Sequence, residues 1–338
     1  MIVSIAEEMN AKRRCTMEDC VVVYGPDFFQ SRQRHKAPPA AGKKRIRDDT
    51  VSSSNRDNSE WNLFGVYDGH GGREIVEFLD YALGPIIAQE LFAPDDDASI
   101  LQRLERSFLL ADVISFQRGI KTSGATVVTC LIRHYDARAM AADIAEDQGS
   151  AVANKRPANN VSRNSRKRHA TIYTANCGDA RSVLSLHGRI IRLSHDHKAD
   201  DPVEVERIER AGGFVVRGRV LGILAVARSL GDHLMKEYVI AKPYLSEYEV
   251  EYKEDTDQEG TTYGYGVRPF VILACDGLWD VVSDEDAVQL VKSYVASYVQ
   301  YDRQMQMKYI QTGAAQVLVD AAMKRGSGDN ISVVVTFF

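Results

Sequence analysis

At 338 residues, with 44% hydrophobic and 26% charged side chains, the chain has material for one large domain or two ordinary ones around a sizeable buried core. No apolar run approaches the about eighteen residues of a membrane span, and five cysteines (Cys15, Cys20, Cys130, Cys177, Cys275) in no zinc-like spacing indicate neither a disulfide framework nor a structural zinc site. The net charge of −5 is uneven: residues 31–60 carry +4 and residues 136–170 carry +3, which leaves an acidic body of −12 that argues against nucleic-acid binding.

The N-terminal residues lack the basic and apolar regions of a secretory signal, so retention in a reducing compartment, cytoplasmic and/or nuclear, with free thiols is expected. Val21-Val22-Val23 is a short apolar run. The stretch 31–60 has Ile46 and Val51 as its only large aliphatics and reads as a disordered basic insert. Leu63-Phe64-Gly65-Val66-Tyr67 reads as a strand, followed by apolar residues at helical spacing from Ile75 through Phe92. A second amphipathic helix fits 98–116, and strands fit 125–132, 171–175, 181–186 and 214–216, interrupted by the second basic insert at 136–170. Asp201-Pro202 caps a helix over 203–211 that Gly212-Gly213 stops, and Ser283 with three acids heads another to about 299. The acids from Glu247 to Glu259 lead into 260–266, which reads as a hairpin tip; a helix over 314–324 and a strand over 330–338 close the chain. Strands in meander order predict antiparallel sheets in a single domain spanning 1–338.

The basic clusters Lys43-Lys44-Arg45-Ile46-Arg47, Lys155-Arg156 and Arg166-Lys167-Arg168 fit solvated linkers, a nuclear-import signal or docking to an acidic partner. The chemical signal lies elsewhere, in apolar strands that each deliver an aspartate into a glycine-bearing turn: Val66-Tyr67-Asp68-Gly69, Ala274-Cys275-Asp276-Gly277 and Cys177-Gly178-Asp179. Asp329 opens the last strand, and Glu18-Asp19 precede Val21. Converging carboxylates without clustered Cys or His fit a hard ion, Mg2+ or Mn2+, and a pair of them fits hydrolytic chemistry. Any one Asp-Gly alone would be a plain turn. The chain has no Gly-x-Ser-x-Gly elbow, no cysteine with arginine six positions on and no Walker loop. His195-Asp196-His197 reads as a structural loop and not a metal pair.

Taken in order, Arg14-Cys15-Thr16-Met17-Glu18-Asp19, Asp68-Gly69-His70-Gly71-Gly72, Ser123-Gly124-Ala125-Thr126, Asn176-Cys177-Gly178-Asp179-Ala180-Arg181, Asp196-His197-Lys198, Ala227-Arg228-Ser229-Leu230-Gly231-Asp232, Ala274-Cys275-Asp276-Gly277-Leu278-Trp279-Asp280 and Gly328-Asp329-Asn330-Ile331-Ser332 carry a family resemblance. The chain resembles the metal-dependent protein serine/threonine phosphatases of type 2C, from about Ser4 to Phe338, and looks most like the small single-domain members. The resemblance implies an α+β fold, a four-layer α-β-β-α sandwich of two antiparallel sheets flanked by helices, with two Mg2+ or Mn2+ ions at one end.

By position, Asp68 would bridge the two ions, Gly69 would offer its carbonyl to one, Asp276 and Asp329 would ligate the other, and Glu18 and Asp19 would act on metal-bound waters. Asp179 and Asp280 correspond to positions that hold a third, weaker metal in some members. Arg14 would bind the phosphoryl oxygens and His70 would protonate the leaving seryl or threonyl oxygen. The expected partners are phosphoprotein substrates, with protein kinases as further candidates, in signalling and by analogy stress-kinase cascades; nucleic acid and membrane are not expected, and a monomer is. The alternative is a catalytically silent binding or scaffold protein of the same fold.

Overall fold

Apolar residues on both faces of the strands build this molecule in layers. The computed structural model describes residues 1–34, 59–94, 97–135, 167–253 and 268–338. Its strands begin with β1 (Ile2–Glu8), β2 (Cys20–Tyr24), β3 (Glu60–His70), β4 (Gly124–Tyr135), β5 (Lys167–Cys177), β6 (Arg181–Leu186) and β7 (Arg189–Arg192). They continue with β8 (Val215–Val216), β9 (Arg219–Val220), β10 (Leu230–Gly231), β11 (Tyr244–Lys253), β12 (Phe270–Ala274) and β13 (Ile331–Phe337). One sheet has the order β1-β13-β12-β6-β7 and the other β11-β5-β4-β3-β2, with β10 against the start of β4; every ladder is antiparallel.

Helices α1 (Pro26–Arg34), α2 (Glu74–Leu91) and α3 (Ile100–Gln117) precede α4 (Pro202–Arg210), α5 (Asp276–Trp279), α6 (Asp284–Ala296), α7 (Arg303–Gly313) and α8 (Gln316–Lys324). β12 shows how the layers arise. Phe270, Ile272 and Ala274 face Leu278, Val288 and Leu318 of the covering helices, whereas Val271 and Leu273 face Phe64, Val66 and Val128 of the other sheet. On the far side, Leu63, Tyr67 and Val127 pack against Phe78, Leu79 and Phe108 of α2 and α3. The result is the expected four-layer α-β-β-α sandwich, α+β in class, because period-two strands buried on both faces need a partner layer on each side.

The predicted caps are present. The Asp201 side chain accepts from the Val203 N–H with Pro202 next in line, and Ser283 accepts from the Asp286 N–H. Other expectations differ. β3 runs through His70, so Asp68 sits within the strand opposite Thr126 and not in a turn. The acids from Glu247 onward start in β11, which pairs with β5, while β12 belongs to the other sheet; the chain therefore crosses between sheets there, and 260–266 lies outside the described residues. α1, whose Phe29 is buried beside Phe28, occupies the start of the stretch 31–60, Glu60 opens β3, and β5 occupies the end of 136–170. The remainder of both stretches, with the clusters at 43–47 and 155–156, lies outside the described residues.

Leu273 is fully buried between the sheets, whereas Val203 on α4 is 68% exposed. Leu273→Ala is expected to lower unfolding free energy in urea by about 2–5 kcal/mol, and Val203→Ala by less than about 0.5 kcal/mol.

Candidate active site

Register brings the acids to one end of the sandwich. In the first sheet Ala274 pairs with both Val333 and Arg181, so the end of β12 and the starts of β13 and β6 share an edge. Asp276, the first residue of α5, Asp329 just before β13 and Asp179 just before β6 therefore lie at that edge. In the second sheet Cys20 pairs with Tyr67, and Tyr67 with Val127, which pairs with Cys177. That places Asp19, Asp68 and the β5–β6 turn bearing Asp179 at the matching edge. Asp68 shares the strand face of Phe64 and Val66, which look into the gap between the sheets.

The innermost group is tight: carboxylate oxygens of Asp19 and Asp68 and the Sγ of Cys275 lie within 4.8 Å of one another. Asp19 is buried, and among the described residues its Oδ2 has no hydrogen-bond partner. Burial, with repulsion from Asp329 and Asp276, pushes the Asp19 carboxyl up to about 7. Burial and then the charges of Asp19, Asp276, Asp179 and Asp329 drive Asp68 well above the carboxylate range. Burial and Asp276 raise Asp179 to about 8, and burial with Asp280 and Asp329 raises Asp276 to about 6. A buried, unpartnered carboxylate oxygen among acids this crowded suits a hard divalent cation, which would neutralise the repulsion and complete the missing contacts. Cys275 adds no soft thiolate: burial and the neighbouring acids raise its thiol further, and its Sγ–H donates to the Asn330 carbonyl.

Asparagines hold the N-terminal segment in place. Asn330 accepts from the Glu18 N–H at 2.9 Å and donates to the carbonyls of Met9 and Thr16, while Asn10 donates to those of Ser327 and Asp329. Glu18 and Asp19 are thereby fixed beside the start of β13. Gly69 is required by proximity, since a Cβ there would lie 2.5 Å from the Glu18 carbonyl oxygen; at Gly277 a Cβ would lie 1.9 Å from that of Asn330. The exposed Arg14 guanidinium pairs with Asp329 and reaches the Gly328 carbonyl.

Two expected residues stand apart from the buried group. Asp280 is 56% exposed at its side chain and accepts from Lys198 Nζ at 2.8 Å; the same ammonium is 3.9 Å from Asp179. His70 faces Asp232, with Nε2 and Oδ2 2.7 Å apart. Sequence reasoning assigned no role to Lys198, Asp232 or Asn330. Their signals are adjacency to His197, Gly231 and Asp329, and only the folded chain shows what each reaches. His195-Asp196-His197 is structural, as expected: His195 pairs with Asp201, Asp196 with Arg181, and His197 is buried against Gly178, where burial lowers its pKa to about 3.

The comparisons with known proteins bear on the family and the fold. A family model described as Protein phosphatase 2C matches residues 42–145 and 161–331. The chain is 32% identical over 335 residues to Protein phosphatase 2C homolog 1 of Saccharomyces cerevisiae, covering 99% of this chain and 92% of that protein. Among solved structures, a Caenorhabditis elegans sex-determining protein aligns with a TM-score of 0.65 at 22% identity, over 99% of this chain and 64% of that one. Serine-threonine phosphatase 2C from Toxoplasma gondii aligns at 0.61 and 20%, over 99% and 94%. At such identities the two structures bear on the fold alone.

A consequence for pH follows from the raised carboxyls. From about pH 4 to 8 the metal-free folded state keeps protons on Asp276, Asp19 and Asp179 that the unfolded chain has released, so their contribution to stability is full below that window and is lost as pH rises through it. The melting temperature in EDTA is expected to fall across this range more for wild type than for Asp19→Asn. A cation held here would need the acids deprotonated, so added Mn2+ is expected to raise the melting temperature more at pH 8 than at pH 5.

Proposed function

We propose that this chain, which belongs to the protein phosphatase 2C family and is a metal-dependent protein serine/threonine phosphatase, hydrolyses phosphoserine and phosphothreonine at the acid cluster with two Mg2+ or Mn2+ ions. The observation that supports the two-ion reading best is the buried, unpartnered Asp19 oxygen beside Asp68. Asp68, the Gly69 carbonyl, Asp276 and Asp329 would hold the ions, with Glu18 and Asp19 alongside; when bound, the ions supply positive charge for the phosphoryl oxygens and an attacking oxygen from water. Asp179 and Asp280 would take a third ion in competition with the Lys198 ammonium.

The chain's own groups do the remaining work. Arg14, exposed and anchored at Asp329 and Gly328, presents a forked donor set that matches phosphate oxygens. His70, partly open to solvent, donates a proton to the departing seryl or threonyl oxygen, which would otherwise leave as a high-energy alkoxide. The acids that hold cations do not serve as nucleophiles, so phosphate transfers directly to water.

The test is release of phosphate from a phosphothreonine peptide with and without Mn2+ or Mg2+. Metal-dependent release is expected, with a loss of at least about 100-fold in Asp276→Ala and about 10- to 100-fold in kcat/KM for Arg14→Ala. A folded, metal-supplied wild type that releases no phosphate would overturn the reading in favour of a silent binding protein.

A further inference from the structure

The pairing of His70 with Asp232 is more constrained than a surface contact. Asp232 is buried, and its Oδ2 lies 2.7 Å from His70 Nε2 and accepts from the Ser229 hydroxyl at 2.5 Å. Its backbone is left-handed, with φ of 48°, a conformation that costs a non-glycine residue energy and persists only where the surroundings impose it. Three strands meet there. On β4, Gly124 pairs with His70 of β3 on one side and with Gly231 of β10 on the other, which sets Asp232 at the ring. The Asp232 N–H donates to the Ser123 carbonyl. A Cβ at Gly124 would lie 2.0 Å from Asp232 Oδ2 and 2.4 Å from His70 Nε2, so the pair needs a glycine beneath it.

We propose that Asp232 is the positioning residue for the proton donor: it fixes the His70 ring plane, keeps a proton on Nε2 and leaves Nδ1 as the nitrogen that serves the leaving oxygen. This rests on the phosphatase reading and deepens it. Among the described residues Nε2 alone of the two ring nitrogens makes a hydrogen bond. As the phosphorus–oxygen bond breaks, the proton on Nδ1 passes to the seryl or threonyl oxygen, and the imidazole is left neutral with its Nε2–H on Asp232. The Ser229 hydroxyl holds the carboxylate, so the carboxylate cannot turn away from the ring. A carboxylate that orients an imidazole in this way acts through the ring and touches neither substrate nor ion.

A donor's support matters only where the leaving group needs a proton, which gives a readout that a structural role would not move. With Mn2+-loaded full-length protein, Asp232→Asn is expected to lower kcat on a phosphothreonine peptide by about 10- to 100-fold, at least about ten times more than on p-nitrophenyl phosphate, whose phenolate leaves without one. Gly124→Ala is expected to show the same discrimination. In His70→Ala the added Asp232→Asn change should cost nothing further on the peptide. Equal losses on both substrates, no loss on either, or full additivity with His70→Ala would overturn the proposal. Long-range 15N–1H correlation of His70 in the wild-type protein decides independently of activity: a proton on Nε2 supports the pair and an unprotonated Nε2 refutes it. An inactive wild type would sink the phosphatase reading, and the tautomer would still decide the pair.

Discussion

Mutual repulsion of buried carboxylates is the constraint around which this molecule is organised. Asp19, Asp68, Asp179 and Asp276 all carry carboxyls raised by burial and by one another, and the cations facing them are peripheral. Arg14 is exposed on Asp329, and Lys198 sits over Asp280. Water cannot screen charges of this kind well, so the arrangement is a cost by itself and, on the proposed reading, would be offset by divalent cations. The rest of the fold must therefore hold the acids in place against their own repulsion. Close-packed and largely apolar layers, with Val271, Leu273, Val334 and Phe64 in the central one, supply that rigidity.

The backbone at the site is as specialised as the side chains. Asn330 and Asn10 bind the segment that carries Arg14, Glu18 and Asp19 to the start of β13, across more than three hundred residues of sequence. Gly69 and Gly277 permit approaches to carbonyl oxygens that no side chain would allow. Gly124 does the same for the His70–Asp232 pair. The glycines beside the aspartates thus act as spacers between elements as much as turn formers.

Much of the fold was legible because its strands are long runs of β-branched and aromatic residues with period-two faces, and its helices carry Ser and Asp caps. Arg181–Leu186 has the bounds expected of it, and the acids expected to converge lie at one end of the sandwich. What escaped is physically intelligible. α1 and α7 are polar helices held by a few aromatics, such as Phe29 and the stacked Tyr298 and Tyr309, and periodicity is weak there. β11 looked like one arm of a hairpin because acids follow it, yet partner choice is a long-range matter that local composition does not encode. Asp68 looked like a turn residue from its glycine neighbour, whereas pairing with Thr126 keeps it in the strand. Asp232 lies in one of the motifs that carry the resemblance, but its pairing with His70 comes from β10 meeting β4, which local sequence does not encode.

The site draws its parts from both sheets. Asp19, Asp68 and His70 belong to the sheet of β2 and β3, Asp276 and Asp329 to the sheet of β12 and β13, and Asp179 stands on the connection between β5 and β6 that joins the two. The spacing between acids is consequently set by the thickness of the layer between the sheets, to which Val66, Val271 and Leu273 belong. Close-packed interiors transmit changes of volume as small displacements, and cation coordination tolerates only tenths of an ångström. Residues in that layer are thus bound by two demands, one from stability and one from the geometry of the acids. The His70–Asp232 pair, by contrast, is set by β3, β4 and β10 within one sheet, so its geometry does not depend directly on the spacing between the sheets.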